Sequence, residues 1–272
     1  MYGDRHGRTY LVPVRPVARR EVLLGGRRAV AEALRSGRAK RIIAVAGSRS
    51  NEGMLEVQRA AATAGIAIEW SAAGDVERLG VPGHQGVVAT VDLPTELNEE
   101  GLARLPLPAD AIVVVLDGIA DPQNLGACGR AAEAAGASAL VSRERRAAPL
   151  TVAAVRASAG ALLHLPLARV VNLSRTLDRL KDRGFWVFGL DHRAVESIHE
   201  SPVPPRPLAL VIGAEETGLS RLVRERCDHL VSIPMVGRTA SLNASAALAV
   251  ALFGYALRPD DRTLDDRTTT EG

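Results

Sequence analysis

Residues 111–130 have the sequence AIVVVLDGIADPQNLGACGR, and this stretch decides the fold of the chain. Its first six residues are all apolar, which predicts a strand buried on both faces, as in a parallel sheet. A polar loop containing glycine follows from Asp117. Residues 124–135 then show a helical pattern that ends at Gly136. A strand, a polar loop and a helix in this order indicate an α/β domain.

The same alternation continues toward the C-terminus. Strands that alternate with helices imply a parallel sheet covered by helices on both faces. The longest apolar run, residues 246–257, has the length of a buried core helix and is too short to span a bilayer. The further strands are predicted at 139–142, 185–190, 208–212 and 229–233, and the further helices at 151–158, 172–183, 219–226 and 243–257.

A second, smaller α/β unit is predicted upstream, with helices at 27–36 and 51–64 and strands at 41–46, 66–70 and 86–91. Asn51 and Gly65 have the residue types that begin and end a helix. A proline-rich, acidic stretch between the two units indicates a linker. The predicted organisation is a flexible basic arm (1–22), a small α/β domain (23–93), a linker (94–109), a large α/β domain (110–258) and a disordered polar tail (259–272).

The composition is that of a globular protein, with 47% hydrophobic and 24% charged residues among 272. The two cysteines, Cys128 and Cys227, are too few for a disulfide scaffold and favour a reduced, cytoplasmic protein. The first twenty residues lack the apolar core of a signal peptide. The six histidines show no metal-ligand spacing, so no metal site is expected.

Basic charge is concentrated near the N-terminus. Residues 1–50 hold twelve Lys and Arg against three Asp and Glu, whereas the rest of the chain holds 22 against 28. This asymmetry favours contact with a nucleic acid, and a solvated arginine-rich surface is the alternative. Aromatic residues are only 3% of the chain, so phosphate contacts and RNA shape are expected to dominate recognition. The candidate phosphate contacts are Arg27, Arg28, Arg35, Arg38, Lys40 and Arg41.

Three loops that follow predicted strands are rich in polar residues and glycine. They are DGIADPQNLGACGR at 117–130, IGAEETGLS at 212–220 and SIPMVGRTASLNAS at 232–245. In open parallel sheets, ligands bind beyond the carboxyl ends of the strands. Three such loops at one sheet edge therefore predict a ligand pocket.

The three segments resemble, in order and spacing, the signature motifs of the SpoU (TrmH) branch of the SPOUT methyltransferases. Upstream, HQGVVA at 84–89 resembles the end of the small RNA-binding domain, similar to a ribosomal-protein fold, of members that modify 23S rRNA. The resemblance extends over roughly residues 25–257. It implies a homodimeric RNA 2′-O-ribose methyltransferase that uses S-adenosylmethionine and carries a trefoil knot formed by the second and third motifs.

The resemblance also assigns roles to residues. The implied catalytic set is Asn124, Arg130, Glu215, Ser241 and Asn243, and the implied cofactor set is Gly213, Ile233, Met235 and Leu242. The family proposal makes the arginine the general base. A guanidinium stays protonated, however, so a phosphate clamp that also stabilises a developing alkoxide is the second interpretation of Arg130, and a surface salt bridge is the third.

Simpler roles stay open for several of these residues. Asn124, Ser241 and Asn243 have residue types that cap helices. Cys128 is most simply a small core residue. Gly129 departs from the bulky residue usual in the family, costs about 1 kcal/mol in a helix, and is expected to loosen the placement of Arg130.

The resemblance favours a guanosine in 23S rRNA as the substrate. The alternatives are the same reaction on tRNA or on an rRNA site linked to antibiotic resistance, and a non-catalytic RNA-binding factor for ribosome assembly. A small-molecule enzyme on a Rossmann-like sheet is disfavoured because the sequence NLGACG does not match the dinucleotide fingerprint.

Overall fold

The small N-terminal domain is a four-stranded sheet with three helices. The computed structural model describes residues 21–239 and 241–257 of the chain. The strand order is β1-β4-β2-β3, with β2 and β3 parallel and the other pairs antiparallel. The elements are β1 (Glu21–Gly25), α1 (Arg27–Arg35), β2 (Ala39–Val45), α2 (Glu52–Ala64), β3 (Ile68–Ser71), α3 (Ala73–Glu77) and β4 (Val87–Asp92).

Helix α2 has the predicted ends: the Asn51 side chain accepts a hydrogen bond from the Gly53 N–H, and Gly65 follows in the left-handed conformation. The flexible arm predicted for 1–22 lies outside the described residues except for its last two, which belong to β1. Residues 259–272, predicted as a disordered tail, lie entirely outside them.

The segment predicted as a linker, 94–109, is a folded part of the large domain. It contains helix α4 (Glu99–Arg104), which is capped by the Asn98 side chain. Leu102 is buried in the core of the large domain, and the Leu97 N–H donates to the Leu167 carbonyl at 2.8 Å. The prediction of a linker was wrong because it gave the prolines and acidic residues of this segment more weight than the apolar residues Leu97 and Leu102.

The large domain is a six-stranded sheet in which every strand runs parallel to its neighbours. The strand order is β10-β8-β9-β5-β6-β7. The elements are β5 (Ile112–Asp117), α5 (Pro122–Ala134), β6 (Ala139–Arg143), α6 (Val152–Ala157), β7 (Leu167–Val170), α7 (Leu173–Asp182), β8 (Trp186–Leu190), β9 (Leu208–Gly213), α8 (Arg221–Arg224), β10 (His229–Val231) and α9 (Ala244–Ala251), the last continued by a π-helix over Leu252–Ala256.

Helices cover both faces of this sheet, as predicted. Along β5, Val114 and Leu116 pack into one core with residues of α5, α6 and α9. Val113 and Val115 pack into a second core with residues of α7 and α8. Because alternate side chains of a strand point to opposite faces, a strand that is apolar throughout has to be buried on both. Within the described ranges, no helix is both long and apolar enough to cross a membrane.

Helix α5 packs very closely against its neighbours through two glycines. A Cβ added at Gly126 would overlap the Ala154 carbonyl, and one added at Gly129 would overlap the Leu162 side chain. Both glycines are buried. Gly129 thus has a packing role, because the missing side chain lets the helix approach Leu162, and the looser placement expected for Arg130 stays a prediction.

Both cysteines are free thiols. Cys128 is fully buried on α5, which confirms its prediction as a small core residue. Burial raises the pKa of the Cys128 thiol, and likewise that of Cys227, to about 12. Neither residue therefore forms a reactive thiolate near neutral pH.

Gly126→Ala should destabilise the protein by about 1–3 kcal/mol, because overlap with the backbone of α6 outweighs the better helix propensity of alanine. The free energy of unfolding in urea measures the effect. Gly74→Ala is the matched control, since Gly74 lies in helix α3 with no atom within 4 Å of an added Cβ. The control should be neutral or stabilise by up to about 1 kcal/mol. A stabilised Gly126→Ala variant would contradict the close packing.

Candidate functional site

Three polar side chains meet at the carboxyl edge of the large sheet. The Asn243 Nδ2 donates to Asn124 Oδ1 at 3.0 Å and lies 3.4 Å from Glu215 Oε2. Asn124 lies in the first turn of α5, which follows β5, and Glu215 and Asn243 lie in the segments that follow β9 and β10. Because parallel strands present their carboxyl ends at the same edge, the fold brings these distant positions together.

Asn243 has two structural functions at once. Its Oδ1 accepts hydrogen bonds from the Ser245 N–H at 3.0 Å and the Ser245 hydroxyl at 2.7 Å, which makes it the N-cap of α9. Its Nδ2 makes the two contacts described above. The capping role suggested for Ser241 is therefore filled by Asn243, and Ser241 is left exposed two residues before that N-cap.

Asn124 is not a helix cap. Helix α5 begins at Pro122, two residues earlier than predicted, and its N-cap is Asp121, whose carboxylate accepts from the Gln123 N–H at 3.0 Å. Proline is favoured at the first helical position because it has no N–H to satisfy. Asn124 is thus the third helical residue, and its side chain is available to Asn243.

A shallow cleft of about 90 Å³, open to solvent, lies beside these three residues. Every residue predicted to hold a cofactor lines it, namely Gly213, Ile233, Met235 and Leu242. Leu190, Asp191 and His192, at the end of β8, also line the cleft, and sequence reasoning missed them.

The packing of the chain alone requires glycine at position 213. A Cβ at this position would overlap the backbone of Gly218, because the loop after β9 turns back tightly and the Gly218 N–H donates to the Ala214 carbonyl at 2.8 Å. The glycine predicted for close approach of a ligand thus also allows the loop to close on the strand end.

A buried carboxylate fixes this loop to the neighbouring strand. Asp117, 3% exposed, accepts from the Ser220 N–H at 2.7 Å and from the Arg143 guanidinium at 2.7 Å. Arg143 also donates to the Ser220 hydroxyl at 3.0 Å. One carboxylate therefore ties the ends of β5 and β6 to the loop that follows β9. The available sequence signal was an acid directly after six apolar residues.

A similar arrangement supports the end of β8. Asp191 is buried and accepts hydrogen bonds from the Arg224 guanidinium on α8 and, at 2.9 Å, from the Arg193 N–H. Here too an acid follows an apolar strand directly. Both buried acids lie at the carboxyl edge, where they make the scaffold beneath the cleft rigid.

Arg130 lies apart from the three joined residues. It is exposed on α5, six residues after Asn124, which is about 9 Å along the helix axis. No hydrogen bond or ion pair to another described residue engages its guanidinium, so the surface salt bridge considered for it is not formed within the described part of the chain.

The six predicted phosphate contacts differ in how they are engaged. Only Arg28 lacks a polar partner among the described residues. Lys40 pairs with Glu21 and Asp92, and Arg41 with Glu69. Arg35 pairs with Glu32 and Glu56, and the hydrogen bond that it donates to Glu56 is the main cause of its raised pKa. Arg27 donates to Asn51 Oδ1 and the Gln85 carbonyl, and Arg38 donates to the Leu163 carbonyl. In the described ranges, no cluster of histidine, cysteine and acidic side chains could hold a metal ion.

Comparison with known proteins adds two family matches. The profile of the SpoU rRNA methylase family matches residues 111–253, and a profile described as RNA 2′-O ribose methyltransferase substrate binding matches residues 23–97. These two matches correspond to the large and the small domain of the structure.

Individual relatives are similar over much of their length. The 23S rRNA (guanosine-2′-O-)-methyltransferase RlmB of Haemophilus influenzae is 48% identical over 172 residues, which are 62% of this chain and 70% of that protein. The putative TrmH family tRNA/rRNA methyltransferase YacO of Bacillus subtilis is 39% identical over 230 residues, 84% of this chain and 92% of that protein. The SpoU methyltransferase AviRb of Streptomyces viridochromogenes, solved with the cofactor AdoMet, superposes with a TM-score of 0.67 at 26% identity and 92% coverage of both chains.

Asp117→Ala should lower the free energy of unfolding by about 2–4 kcal/mol, because it leaves the Ser220 N–H and part of Arg143 without their partner. Asp117→Asn keeps an acceptor and should cost less. Urea denaturation measures both variants. Glu216→Ala, at an exposed position in the same loop, is the control and should change stability by less than about 0.5 kcal/mol. Equal stability of Asp117→Ala and the control would show that the carboxylate does not hold the loop.

Proposed function

This chain belongs to the SpoU rRNA methylase family, and from that premise we propose that it transfers a methyl group from S-adenosylmethionine to the ribose 2′-hydroxyl of a guanosine in 23S rRNA. The similarity to the Haemophilus RlmB protein supports this substrate. The observation that carries the proposal is the junction of Asn124, Glu215 and Asn243 beside the cleft. A match to a substrate-binding domain over residues 23–97 supports RNA as the partner.

The cleft has the chemistry that S-adenosylmethionine requires. Ile233, Leu242 and Ala247 offer apolar surfaces for the adenine ring, and the backbone around Gly213 and Gly218 offers hydrogen-bonding groups. Met235 lies at the edge of the same cleft. The residues present therefore fit the cofactor, and the solved AdoMet complex of a structural neighbour agrees with this assignment. When bound, S-adenosylmethionine supplies an electrophilic methyl group on a sulfonium.

The chain itself has to align the ribose hydroxyl and accept its proton. We assign alignment to the side chains of Asn124 and Asn243, because each amide can both donate and accept hydrogen bonds. Glu215 is the carboxylate of the cluster and is exposed, so it can accept a proton or hold a water that does. Ser241, at the rim of the cleft, offers a hydroxyl to the same ribose.

We propose that Arg130 binds the phosphate beside the target ribose. A guanidinium remains protonated near neutral pH and binds phosphate through two parallel hydrogen bonds. Its lack of an acidic partner among the described residues leaves it available for that contact. Because it lies about two helical turns from Asn124, it can clamp the substrate without disturbing the three joined side chains.

We further propose, as properties of the family, a homodimer and a trefoil knot built from the second and third motifs. Phe253 is 52% exposed at the end of the C-terminal helical segment, and Val250 and Leu257 are partly exposed beside it. Such an apolar surface is typical of a subunit interface. A reaction on ribosomal RNA further implies a cytoplasmic location.

The first test is methyl transfer in vitro with labelled S-adenosylmethionine and either unmodified 23S rRNA or unmodified tRNA. Nuclease digestion and mass spectrometry should identify 2′-O-methylguanosine from the rRNA alone. The same product from tRNA alone would replace the proposed substrate and keep the reaction. If the protein binds the cofactor but methylates neither RNA, its target is another RNA. If it neither binds the cofactor nor forms a product, a non-catalytic RNA-binding protein is supported.

The second test separates the two functions of Asn243. Asn243→Ser keeps a good helix cap and removes the contacts to Asn124 and Glu215. It should lower kcat at least about tenfold while changing the free energy of unfolding by less than about 0.5 kcal/mol. Asn243→Ala removes the cap as well and should cost about a further 1 kcal/mol of stability. Full activity in the serine variant would show that the amide only caps the helix.

A further inference from the structure

A large open cavity lies between the two domains. It encloses about 1020 Å³, and one wall comes from α1, α2 and the turn at Gly83. The opposite wall comes from the beginning of α5 and from α6, including Arg156. This volume is at the upper limit for small-molecule sites, and the cavity is open to solvent. Such a shape suits a length of polymer better than an enclosed metabolite.

Direct contacts hold the two walls of the cavity in place. The Arg38 guanidinium donates to the Leu163 carbonyl at 3.0 Å. Glu32 on α1 lies 2.9 Å from the His164 Nε2. The Arg156 guanidinium lies so close to Gly83 that a Cβ there would overlap it. The cavity is therefore a defined feature of the folded chain.

The walls carry more positive than negative charge. Five arginines and two glutamates line the cavity. Arg35 is neutralised by Glu32 and Glu56, and Arg27 is held by hydrogen bonds to Asn51 and the Gln85 carbonyl. The other three arginines, Arg28, Arg59 and Arg156, have no acidic partner among the described residues. Unpaired cations from both walls around one cleft make a binding site for an anionic polymer.

The cavity leads toward the reaction centre. Gln123 lines it at the first turn of α5 and is followed directly by Asn124, which is bonded to Asn243. A chain lying in the cavity can therefore continue to the side chains that align the target ribose.

We propose that this interdomain cavity binds the phosphate backbone of the substrate RNA beside the target nucleotide, with Arg28, Arg59 and Arg156 each contacting a phosphate. The inference rests on the proposed function for the identity of the RNA. Arg59 and Arg156 lie outside the three loop motifs and outside the basic N-terminal cluster. Lys40 and Arg41, which are ion-paired on another part of the small domain, are not needed for this contact.

The test uses Arg59→Gln, Arg156→Gln and the double variant of the full chain, with binding to a 23S rRNA fragment measured between 50 and 300 mM salt. Each lost phosphate contact should flatten the slope of log K against log salt by about 0.7–0.9, and the double variant by about twice that. Affinity of the double variant at low salt should fall about tenfold or more. Arg175→Gln is the control, because Arg175 is an exposed arginine, without an acidic partner in the described residues, on α7 behind the opposite face of the sheet.

Arg156 could in principle matter only for packing the two domains, and Arg156→Lys tests this. Lysine keeps the charge, so it should restore most of the salt slope, and thermal unfolding should change little in any of the variants. Unchanged slopes in the double variant, or an effect as large in Arg175→Gln, would overturn the proposal. The proposal would also be overturned if Arg156→Lys flattened the salt slope as much as Arg156→Gln while Arg59→Gln left the slope unchanged.

Methyl transfer and cofactor binding by the unmodified protein are measured in parallel. If the unmodified protein binds the RNA without methylating it, the proposed function fails and the salt slopes still test the cavity. If the unmodified protein methylates the RNA and the variants bind it with unchanged salt dependence, the cavity proposal fails alone.

Discussion

The constraint on which the structure depends is that the large sheet is parallel and buried on both faces. Such a sheet offers polar chemistry only at the ends of its strands, because its faces are covered by α5, α6 and α9 on one side and by α7 and α8 on the other. All the carboxyl ends lie along one edge. Asp117 and Asp191 occur where apolar strands end, and each ties a flanking loop to the sheet. The cleft and the Asn124–Asn243 contact are built on these two anchors.

Much of this fold could be predicted from the sequence, since periodicity and helix-ending residues are local signals. The strands around 112–117 and 208–213, and the helix between Asn51 and Gly65, follow directly from them. Two strands were missed. Strand β1 directly follows the basic arm, and strand β7 has only four residues and carries an arginine among its apolar side chains.

The site could be predicted only in part. The candidate residues came from resemblance to a family, and the structure brings Asn124, Glu215 and Asn243 together. It could not be predicted that Asp121 caps α5 and leaves Asn124 available, because both residue types cap helices equally well. The pairing of the arginines could not be predicted either. Charge along the chain identified a basic region, but whether a given arginine is paired depends on acids far away in sequence, such as Glu69 for Arg41.

The double use of Asn243 links how this protein folds to when it becomes active. One end of the amide begins the last helix, and the other end contacts Asn124 on α5 and Glu215 in the loop after β9. The C-terminal segment therefore completes the proposed reaction centre in the same event that starts its own helix. A chain whose end has not yet docked lacks both features, so the last helix and the proposed site form together.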